Sequence, residues 1–216
     1  MTEKDNEFIG YAISRLATKR VTVIFENSTS VHSVREHIDC SGFFDDKLKV
    51  LAVACKKARR DFFPVFVHEY YHFIQWELKQ ENFTNLSQNQ ELEFALWKWL
   101  DGELDDLSLA EKSLREHQAM ELDCERRTIK AIENFGLSIY VEDYIKAANI
   151  YVLFYNVLLK TKKWYDYPPY ENEEIVGMIP SVLMDTYITT PPEIERAIIN
   201  NCYKRNKIHE GFLYAS

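Results

Sequence analysis

The chain has 216 residues, a formal net charge of −8 and a hydrophobic content of 46%, which is enough for one ordinary domain with a buried core. Glycine and proline are scarce, at six each, whereas Tyr and Phe each occur 13 times. This composition argues against disorder and against a turn-rich all-β fold. The acidic balance argues against a nucleic-acid partner, because such binding requires a basic surface.

Cysteine usage and hydropathy bear on location. The four cysteines, none of them in a CxxC pair, are Cys40, Cys55, Cys124 and Cys202. Such spacing does not favour a cysteine-rich zinc site and fits a reducing compartment. The N-terminal residues have no apolar stretch of signal-peptide length, and the apolar segment 144–159 is interrupted by Lys146, Asn149 and Asn156. We therefore expect a cytoplasmic protein that does not contact a membrane.

The predicted elements begin with a helix over 6–19 and a strand over 21–25. A mixed, loop-like segment over 27–46 follows, and then a mostly buried strand over 48–55. Asp61 and Pro64 indicate the start of a helix, because proline suits the first helical turn.

The remainder of the chain has helical periodicity. It predicts helices over 64–80, 90–100, 108–135, 142–163, 172–184 and 192–204. We expect an α+β fold, mostly helical, with a small N-terminal β-sheet packed on the helix that follows Pro64. Residues 1–216 would form a single domain, or a core over 1–135 with a helical extension over 136–216.

The segment VFVHEYYHFI, residues 65–74, contains two histidines four apart. On a helix, His68 and His72 lie on one face and can both present a ring nitrogen to one ion at about 2.0–2.1 Å, as zinc ligands do. Glu69 lies about 100° around the helix, from where it can reach a water on the ion and act as general base. The other residues of the segment are uncharged. The alternative is an aromatic core helix with two hydrogen-bonded histidines.

These ten residues resemble the extended signature of the zincin metallopeptidases, with Val65 at the aliphatic lead position. The metzincin extension HExxHxxGxxH is absent, so the resemblance implies a gluzincin-like enzyme whose third zinc ligand is a glutamate on a later helix. The order of elements, and the segment 59–62 before the histidines, also resemble the ImmA/IrrE-type metallopeptidases. The chain departs from that family at Tyr71, where the family has glycine, and at Cys124, where it has alanine.

Periodicity selects among the acids of the segment 117–127. Residues three and four apart form one stripe with apolar ends: Leu114, His117, Glu121, Cys124, Thr128, Ala131 and Phe135. Glu121 lies in its middle, where an unpaired carboxylate would be costly and a metal would explain its presence. Asp123 is expected to face solvent. The alternative is an ordinary amphipathic helix.

Three further residues of this segment have possible roles. Glu125 lies where gluzincins have the acid that orients a ligand histidine. It is also the alternative to Glu121 as the third ligand, and His117 is a further alternative for that position. Cys124, next to the proposed ligand, has two interpretations, a nucleophile or a buried structural thiol, and the structural thiol is favoured because it is the commoner case.

The prediction is a zinc-dependent peptidase that acts on a protein or peptide. His68, His72 and Glu121 would bind Zn²⁺, and Glu69 would activate water. The alternatives are a non-catalytic metal-binding protein that acts through protein–protein contacts and a metal hydrolase of small-molecule amides. Candidates for stabilising the oxyanion are Tyr187, Tyr203, His209 and His117. The aromatic loop 164–170 would pack on the helical body or line a substrate cleft. The sequence does not indicate an oligomeric state.

Overall fold

The computed structural model of the protein describes residues 1–33, 38–56, 59–184 and 186–204. The helices are α1 (Glu3–Thr18), α2 (Arg59–Glu77), α3 (Glu81–Gln88), α4 (Gln90–Leu100), α5 (Leu107–Phe135), α6 (Val141–Thr161), α7 (Glu173–Met178) and α8 (Pro192–Cys202). The strands are β1 (Thr22–Glu26), β2 (Val31–Ser33), β3 (Ile38–Cys40), β4 (Gly42–Asp45) and β5 (Val50–Ala54). The predicted α+β class, mostly helical with a small N-terminal sheet, is confirmed.

The strands form a three-stranded sheet in the order β1-β5-β4 and a separate pair β2-β3. β1 runs parallel to β5, with Thr22 opposite Val50. β4 runs antiparallel to β5, with Gly42 opposite Val53. β5 is the central and most buried strand, as expected for the apolar run VLAVA.

The sheet packs on α2, the helix that carries the two histidines. Phe66, Val67 and Phe73 of this helix are fully buried in one core with Leu51 and Val53 of β5. These side chains fill the core on one face of α2, and His68 and His72 lie together on another face. The predicted packing of the sheet on the histidine helix is therefore confirmed.

The long helix α5 has well-defined ends. Asp106 caps its N-terminus by accepting a hydrogen bond from the backbone N–H of Leu109. Gly136 ends it with a φ of 60°, a conformation that glycine adopts without steric cost. The next residues are held by Asp5 of α1, whose carboxylate accepts hydrogen bonds from the backbone N–H and the hydroxyl of Ser138.

The chain divides into two compact units, Met1–Tyr144 and Ile145–Ser216. The expected boundary near residue 135 falls inside the first unit, and whether the chain is one functional domain stays a prediction. In the second unit Asn149 donates to the carbonyl oxygens of Pro180 and Val182. The aromatic loop packs on α6, with the Trp164 ring centroid 5.2 Å from that of Phe154.

Two predictions around the sheet and the first helix of the site were wrong. The loop-like segment 27–46 contains β2, β3 and β4, which are too short to give a clear alternation. The histidine helix begins at Arg59, and Pro64 lies inside it. The hydrogen bond that Pro64 cannot donate is lost near the helix start, where burial of Phe63 and Phe66 offsets the loss. The side chain of Asp61 lies outside the described residues.

Two further helix predictions were wrong. α3 was not predicted, because its sequence ENFTNLSQ is mostly polar and buries only Phe83 and Leu86. The helix expected over 172–184 ends at Met178, since Pro180 disfavours a helical conformation in the residue before it.

Candidate metal centre

The two histidines of α2 converge. Their Nε2 atoms lie 3.0 Å apart, and their side chains are 16% and 9% exposed for His68 and His72 respectively. The i,i+4 spacing places both rings on one face of the helix, as predicted. Two ring nitrogens at this separation can share a proton or bind one cation.

Glu121 of α5 brings a carboxylate to the same point. Its Oε2 lies 3.3 Å from Nε2 of His68 and 3.5 Å from Nε2 of His72. Neighbouring ligands of a tetrahedral zinc ion with bonds of about 2.0–2.1 Å are about 3.3 Å apart, so the three separations suit such an ion. Oε2 of Glu121 is also a buried oxygen without a hydrogen-bond partner within the described part of the chain. A metal ion bound between the three side chains would give this oxygen a partner.

Glu125, one turn further along α5, faces the other edge of the His68 ring. Its Oε1 lies 3.3 Å from Nδ1 of His68, and its Oε2 accepts a hydrogen bond of 2.6 Å from the hydroxyl of Tyr144. A proton on Nδ1 faces this carboxylate and leaves the Nε2 lone pair directed at Glu121 and His72. The placement fits the predicted orienting role of Glu125 and is unsuited to its alternative role as a ligand on the Nε2 side.

Cys124 contributes a third kind of donor. His68, His72 and Cys124 form a group that could hold a metal ion, with ligand atoms within 4.8 Å of one another. The thiol donates to the backbone carbonyl of His68 at 3.2 Å, and its sulfur lies 3.7 Å from Nδ1 of the same residue. The sequence interpretation of Cys124 as a packing thiol omitted this proximity. The sequence did contain a signal for this proximity, because Cys124 lies on the same helical stripe as Glu121.

Gln75 is a residue of the site that the sequence reasoning missed. It lies three residues after His72 and is fully buried, and its Oε1 lies 2.9 Å from Nδ1 of His72. Its amide nitrogen donates to the carbonyl of Met120 and to Asp123, both at 2.8 Å. The expectation that Asp123 faces solvent was therefore incomplete. The signal in the sequence that could have identified Gln75 was an amide side chain within a mostly apolar and aromatic helix.

Glu69 lies beside the histidines and against β4. It is 7% exposed, and burial raises the pKa of its carboxyl although His68 and His72 oppose the shift. A Cβ built on Gly42 of β4 would lie 3.1 Å from Cγ of Glu69 and 2.6 Å from Cγ1 of Val65. The absence of a side chain at Gly42 thus lets the strand approach Glu69 closely.

The electrostatics of the group favour a cation. Burial lowers the pKa of His68, but Cys124 and Glu125 outweigh burial and hold it well above its ordinary value. Burial likewise lowers the pKa of His72, and Cys124 and Glu121 raise it well above the ordinary value. Burial raises the pKa of Glu121, yet the two histidines lower it strongly. Positive charge between these atoms is therefore strongly favoured, whether a proton or a metal ion supplies it.

Three other candidate residues, His117, Tyr187 and Tyr203, donate hydrogen bonds to other partners. His117 donates from Nδ1 to the carbonyl of Ser113 at 2.8 Å, and burial lowers its pKa. Tyr187 and Tyr203 belong to the second unit, where their hydroxyls donate to Asn149 and to the carbonyl of Lys163.

Two residues of the sequence-predicted set have other outcomes. His209 lies outside the described residues. Phe135, expected to face inward at the end of the stripe, is 42% exposed at the last residue of α5, although its ring packs edge-on against Phe8.

Comparison of the chain with protein-family models, with curated proteins and with solved structures finds no match. Among the helices that the structure describes, none has the length and apolar character needed to cross a membrane.

Proposed function

We propose that the protein is a zinc-dependent peptidase of the gluzincin type, with His68, His72 and Glu121 as ligands and Glu69 as general base. The observation that carries the proposal is the convergence of two imidazole nitrogens and one buried carboxylate oxygen within 3.5 Å of one another. Two nitrogen donors and one oxygen or sulfur donor form a set that zinc accepts and that magnesium and calcium do not favour.

The residues around the ligands have roles in the reaction. Bound zinc supplies a Lewis acid that lowers the pKa of a water and polarises a carbonyl. Glu69 accepts a proton from the attacking water and returns it to the leaving amine. Burial raises the pKa of its carboxyl. Glu125, itself held by Tyr144, orients His68 through Nδ1.

The sheet favours an extended peptide as the substrate. β4 is an edge strand of the three-stranded sheet and pairs with β5 on one side. Its first residue, Gly42, lies against Glu69. A peptide added antiparallel or parallel to this edge would be bound by main-chain hydrogen bonds beside the general base. This placement favours a protein or peptide over a small-molecule amide.

The substitution Glu69→Gln tests the catalytic part of the proposal. It keeps the size of the side chain and removes its ability to accept a proton at neutral pH. We expect loss of hydrolysis of a fluorescently labelled, unfolded protein such as casein, with unchanged zinc content. A wild-type protein that binds zinc stoichiometrically and cleaves neither casein nor a mixed peptide library would instead support a non-catalytic metal-binding protein.

Cobalt(II) substitution tests which side chain is the third ligand. A thiolate ligand adds an intense near-ultraviolet charge-transfer band, and a carboxylate ligand does not. We expect no such band in the wild-type protein and loss of cobalt binding in Glu121→Ala. A strong band that disappears in Cys124→Ser would assign the third position to Cys124.

A further inference from the structure

The orientation of the Gln75 amide is fixed by its partners. Its nitrogen lies 2.8 Å from the backbone carbonyl oxygen of Met120 and 2.8 Å from a carboxylate oxygen of Asp123. Both atoms are acceptors only, so the group between them must be the NH₂ end of the amide. The oxygen end then faces His72.

This orientation determines the tautomer of His72. Oε1 of Gln75 can only accept a hydrogen bond, and it lies 2.9 Å from Nδ1 of His72. Nδ1 therefore carries the proton, and in the neutral ring Nε2 keeps its lone pair. That lone pair is directed at Nε2 of His68 and Oε2 of Glu121.

We propose that Gln75 and Asp123 are positioning residues that hold His72 as the Nδ1–H tautomer, with Nε2 ready to bind a metal ion. Asp123 is anchored in turn by Arg127, whose Nε donates to the same carboxylate oxygen at 2.6 Å. The connected side chains run from the partly exposed Arg127 through Asp123 to the fully buried Gln75. The two residues thereby link α5 to α2 at the second histidine, as Glu125 links α5 to the first.

The inference concerns the proposed metal site, but its first test needs neither metal nor activity. In a neutral imidazole the protonated and unprotonated nitrogens differ widely in ¹⁵N chemical shift. We expect ¹⁵N-resolved NMR of the zinc-free protein, at a pH where the ring is neutral, to show His72 with the proton on Nδ1. A ring with its proton on Nε2 would overturn the inference and leave the peptidase proposal standing.

Zinc affinity, measured by competition with a chromophoric chelator, is the second test. Gln75→Leu keeps the side chain buried and removes the acceptor, and we expect it to weaken zinc binding by about 10–100-fold.

The control is Gln118→Leu, which removes a buried amide of α5 whose Oε1 accepts from Arg115. It should lower stability without changing zinc affinity. Equal zinc affinity in the wild-type protein and Gln75→Leu would overturn the inference. If Gln75→Leu fails to fold, Asp123→Ala at the half-exposed end replaces it: a several-fold loss of affinity supports the positioning role, and no loss contradicts it.

Discussion

Replacing Gly42 with alanine tests the contact between β4 and Glu69. The new Cβ would lie 2.6 Å from Cγ1 of Val65, 3.0 Å from the carbonyl oxygen of Ala52 and 3.1 Å from Cγ of Glu69. Two of these neighbours are a short side chain and a backbone atom, which cannot move away cheaply. Overpacking of this kind costs about 1–3 kcal/mol, and we expect that loss of unfolding free energy.

The same substitution should separate turnover from metal binding. Relief of the contact shifts Glu69, and a displacement of about 1 Å at a catalytic group can lower the rate by about 100-fold. The three atoms nearest the new methyl group belong to Val65, Ala52 and Glu69, and none of these residues is a proposed ligand. We therefore expect a lower kcat with zinc affinity close to that of the wild-type protein.

Urea unfolding measures the loss of stability, casein hydrolysis measures kcat and zinc titration measures the affinity for zinc. Gly10→Ala is the matched control. Gly10 lies inside α1, and a Cβ there would meet nothing within 4 Å. We expect Gly10→Ala to stabilise the protein by about 0.5–1 kcal/mol. Part of the Gly42→Ala cost should disappear in a Val65→Ala background, because the closest atom is then missing. Stabilisation by Gly42→Ala similar to that of the control would refute the close approach of β4 to α2.

Three further results are expected. The pKa values of His68 and His72 are raised in the folded protein, so the two histidines stabilise the zinc-free protein fully below their unfolded pKa of about 6.5 and lose that contribution as pH rises through the folded values. The urea midpoint of the zinc-free protein should therefore fall on alkalinisation, and saturating zinc should remove the fall. A urea midpoint that does not change with pH would contradict the raised pKa values. The pKa of Asp5 is lowered because its hydrogen bonds to Ser138 outweigh burial, so Asp5 stabilises the fold above its unfolded pKa of about 4 and less below it. In urea unfolding, Asp5→Asn should lower the unfolding free energy by about 1.5–3 kcal/mol at pH 7 and by less at pH 3. An equal loss at the two pH values would contradict the lowered pKa. Phe73→Ala should cost about 3–5 kcal/mol, since its ring is fully buried; a cost under about 1 kcal/mol would contradict its place in the core.

Local spacing was sufficient to predict the main features of the centre. The four-residue separation of His68 and His72 on a helix places the rings together whatever the rest of the chain does. The stripe on α5 likewise placed Glu121 on the buried face, and the structure brings its carboxylate within 3.5 Å of both Nε2 atoms. Both inferences depend only on helical periodicity.

The features that the sequence did not predict depend on distant partners. β4 has four residues, and its position follows from pairing with β5 rather than from its own pattern. Gln75 acquires its role from Asp123 and Met120, which are far along the chain. Periodicity places a residue on a face of its own element, but it does not identify the atom that faces it from another element.

Zinc K-edge X-ray absorption of the purified, zinc-loaded protein measures whether two histidines and Glu121 bind one ion. We expect one zinc ion per chain with a first shell of nitrogen and oxygen at about 2.0–2.1 Å and the outer-shell scattering of two imidazoles. Absence of bound zinc, or a zinc shell without imidazole scattering, would contradict this expectation.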